Sequence, residues 1–351
     1  MSAPIRHILP LTTIRRERLL PVAGRVIVRK GQKVGATDAV AETRLTPEHL
    51  LLDVRRGLKV SQEKADRVIQ CKIGMKVAEG DILAGPVGLT RRVIRAPKNG
   101  RVVLTGEGQI LLEIENPPYE LRAGFPGTVI ELVDERGVII EASGALVQGV
   151  WGNGRIDFGL MYVLAHTPDE TLTADKLDVS HRGSIVLGGY CDQLEVLKVA
   201  GELPVRGLVL ASMNAALLNA ALRARYPIIV LDGFGHLPMN SAAFKLLTTN
   251  ERREAALIAE PWNPYTGVRP EVFIPLPVQD ELPFPPETEE FTPGKQVYSF
   301  RAPYAGKIGV ITEVLAGTTV LPNGLATQVA RVQLENGESV LIPLANLEIL
   351  L

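Results

Sequence analysis

Two stretches of the chain carry the same residues at the same spacing. Gly31, Lys33, Val34, Asp38 and Ala41 recur as Gly74, Lys76, Val77, Asp81 and Ala84, each displaced by 43 positions. Five identities at one offset in so short a window mark an internal repeat, and a repeat constrains a fold more than any composition does. Each copy reads as a short strand, a glycine in a tight turn, a Lys-Val pair opening the next strand, and an aspartate at a second turn. The first third of the chain, residues 21–118, is therefore expected to be a duplicated β-domain. Pro47 to Arg56 and Gln62 to Val68, between the copies, read as short helices or irregular insertions.

The second copy runs Gly74-Met75-Lys76-Val77-Ala78-Glu79-Gly80-Asp81-Ile82-Leu83-Ala84, and Ile94-Arg95-Ala96-Pro97-Lys98-Asn99-Gly100-Arg101-Val102 follows it. Together these resemble the hammerhead and the Ala-Pro turn of biotinyl/lipoyl-like barrel-sandwich hybrid domains, over roughly residues 20–115. Carriers of that family present a modified lysine on a hairpin, flanked by methionines in the biotinyl case. No Met-Lys-Met occurs here. Lys76 falls where a strand starts and Lys98 in the Ala-Pro turn. The resemblance implies an unmodified barrel-sandwich used as a rigid adaptor. A carrier modified at Lys76 or Lys98 is a third reading, and it fails if the intact mass equals the sequence mass.

The centre of the chain changes character. Gly183 to Gly189, Gly207 to Ser212 and Pro227 to Asp232 are continuous apolar runs. Helical spacing separates them, over Asp192 to Gly201 and from an Asn214 cap to Arg225, and a further helix is read near Ser241 to Thr248. That alternation predicts a small α/β domain, residues 167–274, with a parallel sheet and right-handed crossovers. Ligands of such sheets sit beyond the carboxyl ends of the strands. The candidate ligand-binding residues are therefore Gly188, Gly189, Ser212, Asn214, Asp232, Gly233, Gly235 and His236. Asp232 with His236 is the acid/base pair nearest that place. Neither GxGxxG nor GxxxxGK[ST] is present, and His7, His49, His166, His181 and His236 form no HxH or HExxH pattern. No cofactor, metal or catalytic residue is expected.

Residues 119–166 read as a β-rich connecting region. Thr128 to Val133 and Val138 to Ala142 are strands joined at Asp134-Glu135-Arg136-Gly137. A glycine-rich stretch, Gly149-Val150-Trp151-Gly152-Asn153-Gly154, follows. It is expected to be a bulge with Trp151 plugging a barrel, the alternative being a loop that approaches a ligand.

The C-terminal residues 295–351 carry Tyr304-Ala305-Gly306-Lys307-Ile308-Gly309-Val310-Ile311. After them come Val329 to Leu334, an Asn336-Gly337 turn and Ser339 to Pro343. This resembles a KOW motif in an SH3-like barrel, and Asn-Gly between alternating strands is a strong hairpin signal. The resemblance implies contact with RNA or with a ribosomal or polymerase partner. The candidate contacts are Tyr304, Gly306, Lys307, Gly309 and Arg331.

With 351 residues, the chain suits two or three domains. Net charge −1 argues against a strongly basic nucleic-acid binder and an acidic disordered chain. Gly and Pro, 33 and 25 residues, stay below the share of low-complexity sequence and read as punctuation. The near-zero charge hides two segments. A basic N-terminal arm, residues 1–20, is the core of a 1–30 stretch with Arg6, Arg15, Arg16, Arg18, Arg25, Arg29 and Lys30 against Glu17. An acidic Pro-rich linker, residues 275–294, lies in a stretch with Glu271, Asp280, Glu281, Glu287, Glu289 and Glu290 and no base up to 291. The arm reads as a solvated segment, or as a dock for an anionic partner such as RNA.

Cys71 and Cys191 have no CxxC neighbour, which predicts isolated buried thiols, with one long-range disulfide as the alternative. Leu9 to Ile14 is short and precedes its arginines, unlike a signal peptide. No apolar run approaches membrane length, so a cytoplasmic location without a membrane partner is expected. The fold class expected is multi-domain α+β: a β-rich barrel-sandwich N-terminal region, a central small α/β parallel-sheet domain and a C-terminal SH3-like β-barrel. The expected function is a non-enzymatic adaptor with RNA or a protein complex as partner. The alternative is a small-ligand-binding protein or enzyme using the α/β strand ends.

Overall fold

Apolar runs with no polar face need cover on both sides, which suits the middle of a parallel sheet. The three central runs take that place. Ser184–Cys191, Gly207–Met213 and Ile228–Phe234 are buried over most of their length and lie parallel in that order. Helix Leu194–Glu202 makes the first crossover; a 3₁₀ turn at Ala215–Leu217 running into helix Leu218–Arg223 makes the second. The computed structural model describes every residue except Met1, Thr46, Pro264, Tyr265, Gln279, Asp280, Glu281, Pro283 and Glu287. The described chain is β-rich, with several sheets and few helices.

A fourth parallel strand, Ile156–Val163, stands beside Ser184–Cys191. Its apolar run is interrupted by Asp157 and Gly159, which hid it in the sequence. Asp157 pairs with Arg206 at 3.1 Å. From this strand the sheet continues antiparallel through Glu254–Ile258 and Glu271–Pro275 to Gly137–Gln148. It reaches eleven strands. Its pairings run across the expected borders at 118/119 and 166/167.

Both copies of the repeat keep the same turn. Gly31 and Gly74 sit at φ +82° and +85°, where a side chain is strained. Asp38 accepts from the Gly35 N–H and Asp81 from the Ala78 N–H, each at 2.8 Å. The copies do not pair with each other. Lys76–Val77 pairs with Gly100-Arg101, whereas Lys33–Val34 pairs with Gly127-Thr128. The matching hydrogen bonds are Gly74 N–H to Val102 O and Gly31 N–H to Val129 O. The second unit is thus nested inside the first, which closes only after residue 119. Glu48–Asp53, read as helix or irregular, is a strand paired with Gln109–Ile114. Asp53 then caps helix Val54–Leu58 through the Arg56 N–H at 2.9 Å. Asp38→Ala and Asp81→Ala should each cost about 1 kcal/mol, the worth of one turn hydrogen bond. Urea unfolding checks this, and the double variant should be additive because the turns are separate.

The basic arm is a strand. Ile8–Leu19 runs antiparallel along Gly137–Gln148, its partner more than 100 residues away. Its arginines are spent inside the molecule. Arg16 makes a bidentate bond to Glu271 at 2.6 Å for each nitrogen, Arg15 reaches Glu141 at 2.7 Å, and Arg18 lies 3.7 Å from Glu260. The acidic segment folds against this strand and the residue before it. The Arg15 guanidinium covers the Phe284 ring at 4.2 Å, and a His7 ring nitrogen is 3.1 Å from the Pro286 carbonyl. Ser2–Ala3 pairs with Glu289–Glu290. Asp280, Glu281, Pro283 and Glu287 of that segment lie outside the described residues. Glu271 is buried, so Arg16→Ala leaves a carboxylate without its fork. A loss of about 1.5 kcal/mol is expected, read by denaturant titration.

The C-terminal residues form a six-stranded sheet. Its order is Ile5–Arg6, Leu347–Leu350, Gln296–Ser299, Lys307–Val314, Val329–Leu334 and Ser339–Pro343. The Asn336-Gly337 hairpin forms as read, with Gly337 at φ +86° and Asn336 accepting from the Glu338 N–H at 3.1 Å. The N-terminal Ile5–Arg6 runs parallel to Leu347–Leu350, so both ends of the chain share one sheet. One apolar core joins Ile8 and the central sheet to Tyr298, Ile308 and Leu350. No helix among the described residues is long and apolar enough to cross a membrane.

Candidate functional site

The strand-end glycines are explained by close backbone approach. At Gly189 an added Cβ would run into the Glu170 carbonyl oxygen, and at Gly188 it would meet the Leu172 side chain 2.7 Å away. Segment 170–172 lies there because the Tyr190 N–H donates to Glu170 O and the Leu172 N–H to Tyr190 O. Ser212 Oγ donates to the Leu237 carbonyl at 2.7 Å and accepts the Leu237 N–H at 3.1 Å. Asn214 caps the 3₁₀ turn through the Ala216 N–H at 3.0 Å, as the sequence suggested for a helix. Gly233, near the end of strand Ile228–Phe234, and Gly235, just after it, take positive φ.

His236 is exposed and stacks on Tyr190, centroids 4.5 Å apart. Trp151 meets Phe234 edge-on at 6.0 Å. Trp151 is therefore at an edge of the central sheet, paired opposite Val230, and plugs no barrel. Two ring pairs thus lie in this region, Tyr190 with His236 and Trp151 with Phe234.

Asp232 and His236 are not brought together. Asp232 is buried, and its carboxylate oxygens face the Arg6 guanidinium at 3.0 Å and the Asn240 amide and backbone N–H at 2.9–3.2 Å. Arg6 is fully buried. It also donates to the Leu231 carbonyl at 3.1 Å, contacts Glu348, and lies 4.4 Å from the centre of the Tyr298 ring. Glu348 in turn holds Arg269 at 3.1 Å, and the Tyr298 hydroxyl donates to the Asp232 carbonyl at 3.2 Å. Burial lowers the Arg6 proton affinity, but Glu348 and Asp232 outweigh it and raise it, so the guanidinium stays charged. Burial pushes the Tyr298 hydroxyl well above its ordinary range. Sequence reading missed this network. Arg6 was counted as a solvated base, and nothing local marks a partner more than 200 residues away.

The C-terminal candidates split. Gly306, at φ +82°, faces Leu237 and Pro238 of the central loop, with an added Cβ 3.8–3.9 Å from them. Gly309 is pressed against the neighbouring strand, 2.6 Å from an added Cβ to the Gln333 carbonyl. Tyr304 is half-buried against the core of the C-terminal sheet. Arg331 pairs with Glu313 at 3.2 Å, and Lys307 is exposed. Gly306 therefore lies beside Leu237, the residue that follows the candidate His236. A hollow of about 390 Å³ lies apart from the strand ends, lined by Pro4, Phe291, Thr318, Leu344 and Leu347 among others.

Cys71 and Cys191 are both free and buried, which removes the disulfide alternative. Burial pushes the Cys191 thiol up to about 11, so it is no nucleophile at neutral pH. Among the described residues no group of three or more His, Cys, Asp or Glu is placed to hold a metal ion. Compared with known proteins, the chain matches no family model and no curated sequence.

Proposed function

We propose that the chain is a non-enzymatic adaptor, a set of β-rich units around one α/β sheet that holds a macromolecular partner on a fixed frame. The partner class is RNA or the transcription–translation machinery. The observation that carries this reading is the buried Arg6–Asp232–Glu348–Arg269 network. It ties the N-terminal, central and C-terminal parts together, so their surfaces keep one relative placement. The repeated Gly–Lys-Val–Asp turns support the barrel-sandwich resemblance at residues 21–118. The six-stranded C-terminal sheet with its Asn336-Gly337 hairpin supports the KOW and SH3-like reading at 295–351. A filter-binding titration of the intact chain with structured and single-stranded RNA tests it. Salt-sensitive binding at micromolar protein is the expected result, and its absence sinks the RNA part.

A second reading rests on the Tyr190–His236 stack and the exposed Phe234, which together offer flat apolar faces to a small ligand at the strand ends. A thermal-shift screen with nucleotides and acidic metabolites separates the two. A compound that stabilises the wild type and not His236→Ala replaces the adaptor reading.

A further inference from the structure

The chain's net charge of −1 is the sum of two unlike parts. Residues 44–118 hold thirteen Lys and Arg against nine Asp and Glu, net +4, so the remainder carries −5. Within this unit Arg55, Lys76, Lys98 and Arg101 meet carboxylates. The other nine have no carboxylate partner among the described residues, and Arg56, Lys59, Arg91 and Arg92 are four of them. The fold gathers these four. Helix Val54–Leu58 packs on strand Arg92–Arg95, with Gly57 so close to Ile94 that a Cβ would strike its Cδ1. Arg56 is exposed beside Gly57, and Lys59 caps the helix in the left-handed conformation at φ 55°. Strand Arg92–Arg95 forms a hairpin with Ile82–Val87. At its tip Arg91 is exposed, the Arg92 guanidinium lies against Gly88, and Leu89 is fully exposed. The adjoining helix Gln62–Val68 sets Glu63 beside Lys64 and Arg67.

We infer that this ridge docks the phosphate backbone of a nucleic-acid duplex, with Leu89 entering a groove. Cations without carboxylate partners on a hairpin and on the helix packed against it can face the phosphates of one duplex, and a two-stranded ribbon fits the major groove of B-form DNA. Residues 44–118 contain no Phe, Trp or Tyr. They therefore offer no ring on which the bases of a single strand could stack, and the duplex is favoured. An apolar residue at the tip of a ribbon in the major groove can pack on the thymine methyl groups exposed there. The inference rests on the adaptor reading and names its partner and its surface, moving the contact away from the Lys307 turn.

The test is a gel-shift titration of the intact chain against DNA and RNA duplexes of one sequence, with poly(U) and anionic phospholipid vesicles as the other probes. Four phosphate contacts give a log–log salt slope of about −3.6. Arg91→Glu/Arg92→Glu should weaken duplex binding by about tenfold or more and flatten the slope by about 2. Leu89→Ser should weaken it a few-fold with the slope unchanged. All three side chains are at the surface, and a matched melting temperature shows that the variants are folded. The DNA and RNA arms tell which duplex is preferred. Absence of duplex binding overturns the inference, as does duplex binding indifferent to the Arg91 and Arg92 changes, or binding to poly(U) or vesicles in preference to duplex. RNA binding that survives these changes leaves the adaptor reading standing, whereas a small-molecule ligand at His236 removes that reading itself.

Discussion

Arg6→Ala should lower the melting temperature of the intact chain by roughly 5–15 °C. Removing one partner of a buried pair typically costs about 3–5 kcal/mol, because the opposite charge stays behind without compensation. In a domain of 150–250 residues about 1 kcal/mol moves the midpoint by 2–4 °C, and somewhat less in a longer chain. Here Asp232 loses its counter-charge and Glu348 loses one of two, keeping Arg269 at 3.1 Å, and both carboxylates lie at junctions between parts of the chain. The Leu231 carbonyl and the Tyr298 ring lose a contact as well. A double-mutant cycle with Glu348→Gln should return a coupling of at least about 1 kcal/mol, as residues in one network do. Calorimetry reads both. A midpoint moved by less than about 2 °C, given that range, would show that Arg6 does not hold the three parts together.

Gly189→Ala should cost about 3 kcal/mol, at the upper end of overpacking penalties. The obstruction is the Glu170 carbonyl, which accepts from the Tyr190 N–H while the Leu172 N–H donates to the Tyr190 carbonyl, so backbone and no flexible side chain would have to yield. The control is Gly201→Ala, an exposed helical position where the nearest atom to an added Cβ is Tyr226 Cε1 at 3.6 Å. There the substitution should stabilise by about 0.5–1 kcal/mol through helix propensity. The pair separates two meanings of one glycine. If Gly189 serves a ligand, Gly189→Ala changes binding and leaves the unfolding midpoint alone. If it serves the 170–172 segment, the midpoint falls.

What the sequence made legible was local. The Asn336-Gly337 hairpin, the Gly31 and Gly74 turns and the three central strands each carry their signal within a few residues. What stayed hidden was pairing at long range. The identities between 31–41 and 74–84 announce a repeat, but nothing in them says that residue 33 waits for residue 128 while residue 76 takes residue 101. The arm at 8–19 looked solvated because its arginines were counted without Glu141, Glu271 and Glu260. Asp232 looked available because it ends a strand, and its true partner, Arg6, sits in a segment that reads as a tail. Gly188 and Gly189 read as ligand-binding because they end a strand, whereas what lies against their backbone is the chain's own segment 170–172.

On the proposed reading, a frame locked by Arg6 presents one basic ridge to a polyanionic partner. Hydrogen exchange of the intact chain, with and without a duplex of about 20 base pairs, two helical turns, tests it most directly. Slowed exchange is expected over residues 54–59 and 87–95, with 301–309 and the strand ends at 188–193 unchanged. Slowing confined to 301–309 or to the strand ends, or no slowing anywhere at saturating duplex, would contradict it.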